Sequence, residues 1–369
     1  MNAPAKKLQI PRVDYENEPL GFKAWCVTLG IFGVLFALVV FFLPIEAILS
    51  TSKYHFGGNR SLDEVAEIYQ IIENQDEEPF DTIVFGTSSS RASFENPEDM
   101  EKQFMETYGK DMSFVNFSSS AQTFLQTLVF VERINFRADQ TVIFNLTPST
   151  FARTPEFTVG FFVEFHPMQH LYSLRERLET VPELTKYIDE QSMRKNHLMT
   201  LRSQLYNDIN LGLRDWAQRN IYDSRSELSR FPYDSLPVGD EEIIRINQEA
   251  RIGALEDGFD IANDYNTRLL RIILEKILQS GAKVYLIEQA RMMGHTTFVP
   301  WQDDYDRIIG QLKTDYGITY INFNEQIGLE LNDFHDMTHV WRPGRKKWSD
   351  YFLKWLDRVT DERAADDLR

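Results

Sequence analysis

The chain has 369 residues, with 39 basic and 56 acidic side chains and a formal net charge of -17 at pH 7. That excess of negative charge repels a phosphate backbone and argues against a nucleic-acid partner. Hydrophobic residues make up 43%, with 27 Phe and 15 Tyr, which suits a buried core and excludes a disordered or fibrous chain. The single cysteine, Cys26, excludes a disulfide-built fold and cysteine metal ligands in the rest of the chain.

Residues 24–43 read AWCVTLGIFGVLFALVVFFL without a charge. Twenty helical residues rise roughly 30 Å, the thickness of a bilayer's hydrocarbon core, so a transmembrane anchor is expected over 24–45, with Trp25 at its edge. A cleaved signal peptide and a buried core helix are the rival readings. A signal's apolar region is shorter, and here Pro44, Ile45 and Glu46 follow in place of a small-x-small cleavage site. Lys6, Lys7, Arg12 and Lys23 precede the run, and only Lys53 and Arg60 closely follow it. That asymmetry predicts residues 1–23 as a cytoplasmic tail and the main domain outside.

Residues 46–80 read as a tether, polar around Gly57 and Gly58, and a leading helix over 61–75 with Val65, Ile68, Tyr69 and Ile72 on one face. Short apolar runs then predict strands at Asp81–Gly86, Ser113–Phe117, Thr141–Leu146, Lys283–Ile287 and Ile318–Ile321. Between several of them lie helical patterns near 122–134, 261–278 and 303–316. A last helix starts near Pro343 or Gly344 and carries Trp348, Phe352 and Trp355. Strands alternating with helices predict an α/β fold: a three-layer parallel sheet with helices on both faces. The alternation breaks at about 151–250, which predicts a helical insertion over the sheet's C-terminal edge. The domain is thus expected over 81–357, with a polar tail at 358–369.

Two short segments carry candidate chemistry. After the first strand the chain reads Gly86-Thr87-Ser88-Ser89-Ser90-Arg91. Glycine permits a sharp turn, a serine just past the strand can present its hydroxyl at the sheet edge, and the following amides can face an oxyanion. Serines after a glycine also serve as plain turn and cap residues. Near the C-terminus stands His335-Asp336-Met337-Thr338-His339. A serine nucleophile needs a base, and the base needs an acceptor; Asp336 and His339 can supply both within one loop. The same pair could cap a turn or enter a metal site, although no complete metal motif surrounds it. His335 lies closer to Asp336 and competes as the base.

Together the two segments resemble the SGNH hydrolase superfamily, the GDSL-type esterases and lipases. Gly86-Thr87-Ser88 matches the Gly-x-Ser block after the first strand, and Asp336-Met337-Thr338-His339 matches the C-terminal Asp-x-x-His block. The resemblance implies a flavodoxin-like SGNH sheet with Ser88 as nucleophile, His339 as base and Asp336 as its partner. It further implies an oxyanion hole from the Ser88 amide, from Ala121 in the place of the family's second-block glycine, and from Ser149 in the place of its third-block asparagine. The cell-envelope members of that family, such as the D-alanine transfer protein of teichoic acids and the alginate O-acetylation proteins, are the most similar. They imply an acylated envelope polymer or acyl donor as partner, a membrane-bound O-acyltransferase beside it, and a single-pass place in the bacterial cytoplasmic membrane.

The function expected is therefore a membrane-anchored serine esterase or acyltransferase acting on O-acyl groups, without a cofactor or metal. The alternative is a non-catalytic protein of the same fold that docks to an acyltransferase. Arg91 and His295 are possible substrate-binding residues, Arg91 otherwise serving in an ion pair. His166 and His170, behind Glu164, share a helical face but have no third ligand placed by the sequence. Asn116-Phe117-Ser118 and Asn145-Leu146-Thr147 match a glycosylation pattern, yet both asparagines fall in or at the end of expected strands.

Overall fold

The computed structural model describes residues 27–34, 60–165, 174–185, 265–291, 299–335 and 339–366. The chain divides into two units, Met1–Ile48 and Leu49–Arg369. In the first, the described residues form one helix, α1, over 27–34, with Val27, Leu29, Ile31, Phe32 and Val34 all exposed.

The expected anchor is not borne out. Among the described residues no helix is long and apolar enough to cross a membrane. The longest, Arg342–Asp366, has 25 residues but carries charges along its whole length. The single transmembrane helix, the membrane as a partner, the single-pass location and the membrane-anchored form of the function are therefore not supported. The rest of the expected span, the tail 1–23 and most of the tether lie outside the described residues.

The second unit opens with α2 (Arg60–Glu73), then β1 (Thr82–Phe85), α3 (Ser88–Ser93), α4 (Pro97–Tyr108), β2 (Phe114–Asn116), α5 (Phe124–Arg133) and β3 (Thr141–Leu146). Four short or medium helices follow: α6 (Pro148–Phe151), α7 (Pro155–Phe165), α8 (Arg175–Leu178) and α9 (Pro182–Thr185). They are the described part of the expected helical insertion. The last elements are α10 (Tyr265–Gln279), β4 (Lys283–Glu288), α11 (Val299–Tyr316), β5 (Thr319–Ile321), α12 (Asn324–Ile327), a 3-10 turn at Leu331–Asp333, and α13 (Arg342–Asp366).

The five strands are parallel and ordered β2-β1-β3-β4-β5, as the alternating pattern predicts. This is a doubly wound order in which the chain reverses direction between β1 and β3. In such sheets the crevice at the carboxyl ends of those strands is the place for a site. Both faces are covered, so β1 is buried at every residue and β3 likewise, and each reads as an apolar run rather than an alternating one.

Strand alternation divides the core in two. Phe85 and Phe144 point into a cluster with Val65, Leu128, Leu270 and Leu312, under α2, α5, α10 and α11. Val84, Ile143 and Ile287 point the other way, onto Phe104 of α4 and Trp348, Phe352 and Leu356 of α13. The spacing of four between Trp348, Phe352 and Leu356 keeps them on one side of α13, and each is fully buried. Burying one such aromatic contributes about 2–3 kcal/mol, which fixes α13 on the sheet. The expected third aromatic, Trp355, is half-buried and meets the Tyr285 ring edge-on at 5.0 Å between centroids.

Candidate active site

The serine segment is shaped by a close approach. A Cβ on Gly86 would lie 2.4 Å from Ser90 Cβ and 2.6 Å from Ser90 Oγ. Only glycine lets α3 fold back so tightly against the end of β1. Thr87 precedes the helix in extended conformation, and its carbonyl accepts from the Arg91 amide at 3.0 Å. Ser88 is thus the first residue of α3, half-buried at the carboxyl edge of the sheet, while Ser89 and Ser90 point inward and are buried. Its amide has no partner within the helix, as at any helix start.

The histidine segment is held by a small closed loop. Phe334 and Val340 form an antiparallel bridge, the His335 amide donates to the His339 carbonyl at 2.9 Å, and the Trp341 amide donates to the Asp333 carbonyl at 2.8 Å. Asp333 is itself buried, accepting from the Glu330 amide at 2.9 Å and from Lys347 Nζ at 2.7 Å. A Cβ on Gly344 would lie 2.3 Å from the Asp333 carbonyl oxygen, so glycine there lets α13 begin directly against the loop's base.

Across 251 positions of sequence, this loop brings His339 Nε2 to 3.0 Å from Ser88 Oγ. The same nitrogen lies 3.4 Å from Ser89 Oγ. His339 is 6% exposed, so its ring is largely out of solvent. His335, the competing base, contributes its backbone to the loop, and it is His339 whose ring meets the serines. Asp336 lies outside the described residues, within the span of the loop that the two backbone contacts close.

Two further residues tie the segments together, and sequence reasoning missed both. Arg345, 2% exposed, donates from Nε to the Ala92 carbonyl at 3.0 Å, joining α13 to the C-terminal end of α3. Ser349 Oγ accepts from the Glu95 amide at 3.0 Å. Their signal in the sequence is weak: a basic and a small polar residue on a helix ordinarily face solvent.

The loop after β2 has one unusual residue. Ala121 has φ of +51°, the only non-glycine positive φ among the described residues. Glycine adopts this left-handed conformation freely, and alanine bears it at a cost of roughly 1 kcal/mol. The neighbouring amides are all engaged. Phe117 donates to the Val84 carbonyl, Ser118 to Asn116 Oδ1, Ser119 to Gln122 Oε1, Ser120 to Glu64 Oε2 and Gln122 to the Ser119 carbonyl. The Ala121 amide donates to no group among the described residues. Ser118 Oγ donates to Ser90 Oγ at 3.0 Å, which pins this loop beside α3.

Arg91 has structural partners: Glu67 Oε2 at 2.8 Å, Glu64 Oε1 at 3.7 Å and the Ser118 carbonyl at 3.3 Å. It knits α2, α3 and the loop after β2 together. Ser149 is half-buried on α6 and has no hydrogen bond to Ser88 or His339. The polar residue that sequence reasoning set aside is Asn145. It is 1% exposed on the face of β3 that also carries Ile143, and among the described residues neither carboxamide atom has a partner. Just past the ends of the strands flanking β3, Thr87 Oγ1 reaches toward Gln289 Oε1 at 3.4 Å, a weak contact. His295, His166 and His170 lie outside the described residues. Among the described residues no group of three or more His, Cys, Asp or Glu side chains is arranged to hold a metal.

On the other face, at the end of β4, Glu288 is 1% exposed. Tyr305 donates to its Oε2 at 2.8 Å, Tyr320 donates to the same oxygen, and Arg291 Nε lies 3.6 Å from Oε1. Burial pushes its carboxyl above the usual carboxylate range, against the pull of Arg291 and the two hydroxyls. Burial also raises the Tyr305 phenol well above its ordinary value, helped by the Glu288 charge. No family model matches the chain, and no curated protein matches it.

Proposed function

We propose that the protein is a serine-type ester hydrolase or O-acyltransferase of the SGNH kind, working through Ser88 and His339. The observation that carries this reading is the 3.0 Å contact between Ser88 Oγ and His339 Nε2 at the carboxyl edge of a doubly wound sheet. A hydroxyl at a helix start, within hydrogen-bond reach of an imidazole held by its own loop, has the relation of nucleophile to base.

In the reaction, Ser88 Oγ attacks an ester carbonyl carbon while its proton passes to His339 Nε2. Asp336 is the acceptor for Nδ1 in this reading, fixing the tautomer that leaves Nε2 free to take the proton. The carbonyl oxygen becomes an oxyanion, for which the Ser88 amide and the uncommitted Ala121 amide are the donors. Collapse expels the alkoxide, which takes the proton from Nε2, and leaves the acyl group on Ser88. Water or an alcohol then attacks the acyl carbon, gives its proton to Nε2, and the bond to Ser88 Oγ breaks as that oxygen regains the proton. Water yields hydrolysis, and a bound alcohol yields transfer.

The test is covalent labelling by a fluorophosphonate, which requires an activated serine but no knowledge of the natural ester. Wild-type protein is expected to label, and Ser88→Ala and His339→Ala to label at least about a thousandfold more slowly while remaining folded. Labelling of Ser88→Ala at the wild-type rate would refute the assignment.

A further inference from the structure

We infer that Ser89 is a positioning residue for His339, holding the imidazole in place through the half of the cycle in which Ser88 is acylated. This inference rests on the proposed role of Ser88 and His339. It starts from two facts about one nitrogen. His339 Nε2 lies 3.0 Å from Ser88 Oγ and 3.4 Å from Ser89 Oγ. Ser89 is 5% exposed, and among the described residues its hydroxyl has no other hydrogen-bond partner. A buried hydroxyl committed to a single acceptor is left unsatisfied if that partner moves away, so it resists displacement of the ring.

The two serines differ in what the chemistry does to them. In the free protein both hydroxyls can donate to neutral Nε2, and the nearer one dominates. Once Ser88 carries an acyl group, its Oγ is an ester oxygen with no hydrogen to donate. The contact that aligned the imidazole from that side is then lost at the stage when a base is needed again. Ser89 keeps its hydrogen throughout. Its Oγ donates to neutral Nε2 in the acyl-enzyme, and it accepts from the Nε2 proton after water or an alcohol has been deprotonated, until that proton returns to Ser88 Oγ. No atom is transferred to or from Ser89, and its long contact yields the single lone pair of Nε2 to the O–H of the incoming nucleophile.

Local structure favours this division of labour. Ser88 and Ser89 are the first two residues of α3, whose fold-back is fixed by the close approach of Ser90 to Gly86. The Ser89 carbonyl is anchored by Ser93 Oγ at 2.7 Å. One hydroxyl therefore faces the crevice while the next is packed beneath it, and both converge on one ring.

The experiment separates acylation from deacylation in Ser89→Ala and Ser89→Thr. Acylation is read as the fluorophosphonate labelling rate. Deacylation is read by intact mass as the ratio of acetylated to free protein during turnover of p-nitrophenyl acetate. Ser89→Ala is expected to label within about twofold of the wild-type rate yet to raise the acetylated-to-free ratio about tenfold, the effect of losing one hydrogen bond to a charged group. Ser89→Thr, which keeps the hydroxyl, is expected to return the ratio towards wild type. A ratio unchanged in Ser89→Ala, or labelling and deacylation slowed by the same factor, overturns the inference. Wild-type labelling in Ser88→Ala overturns instead the reading on which it rests.

Discussion

At the carboxyl edge of the sheet, the two faces treat their polar side chains in opposite ways. On the α11 side, Glu288 is surrounded: Tyr305 and Tyr320 donate to one oxygen and Arg291 approaches the other. On the α13 side, polar groups are left short of partners. Two serine hydroxyls share one imidazole nitrogen, and among the described residues the Asn145 carboxamide has no partner. Saturated polar clusters hold elements together, and buried polar groups without partners mark where a further group is to be bound or reacted. The same sheet edge thus serves as a clamp on one side and as a candidate active site on the other.

The sharpest way to break this comparison is to remove the reactive groups. Ser88→Ala or His339→Ala is expected to lower ester turnover by about ten-thousandfold, with a melting temperature within a few degrees of wild type. Parallel losses in turnover and melting temperature would make these residues structural, like Glu288. Next in size is Gly86→Ala. The added Cβ meets Ser90 2.4 Å away, so α3 must shift. A loss of about 1–3 kcal/mol in urea denaturation is expected, together with a large fall in labelling rate because Ser88 moves from His339.

Glu288 provides the contrasting prediction on the clamp side. Its folded carboxyl binds its proton more tightly than the unfolded one. Its contribution to stability is therefore complete below the ordinary glutamate range of about 4.3 and is lost as pH rises through the higher folded value. Glu288→Gln is expected to flatten the decline of the urea midpoint across that window and to leave the labelling rate within about twofold of wild type. A steeper decline in the variant would reverse the sign and reject this account of the cluster. The smallest effect is expected from Ala121→Gly. It relieves a left-handed alanine, so stability should rise by up to about 1 kcal/mol with turnover retained, offset in part by the greater freedom of glycine in the unfolded chain.

The sheet was the most legible part of the sequence. Apolar runs such as Thr141–Leu146 can be buried on both faces only in a covered parallel sheet, and the strands lie within a residue or two of where the runs predict them. Two helices, α3 and α4, were not legible. The first is serine-rich and six residues long, formed because Gly86 allows it to pack on the strand end; the second buries little beyond Met100 and Phe104. The uncharged run 24–43 suggested a membrane span by length and composition, but among the described residues no helix is long and apolar enough to cross a membrane. In the candidate site, Ser88 and His339 were singled out by the resemblance of Gly86-Thr87-Ser88 and Asp336-Met337-Thr338-His339 to the SGNH blocks, not by spacing alone. Ser89, Arg345 and Asn145 were not, since their roles depend on which face of an element each occupies and on what packs there from far away in the chain.

The central claim is that one particular hydroxyl of the serine run is the reactive one. Its most direct test is peptide mapping of wild-type protein after fluorophosphonate labelling. The geometry predicts a single adduct, on Ser88. An adduct on Ser89 or Ser90, or none on folded protein, would contradict it.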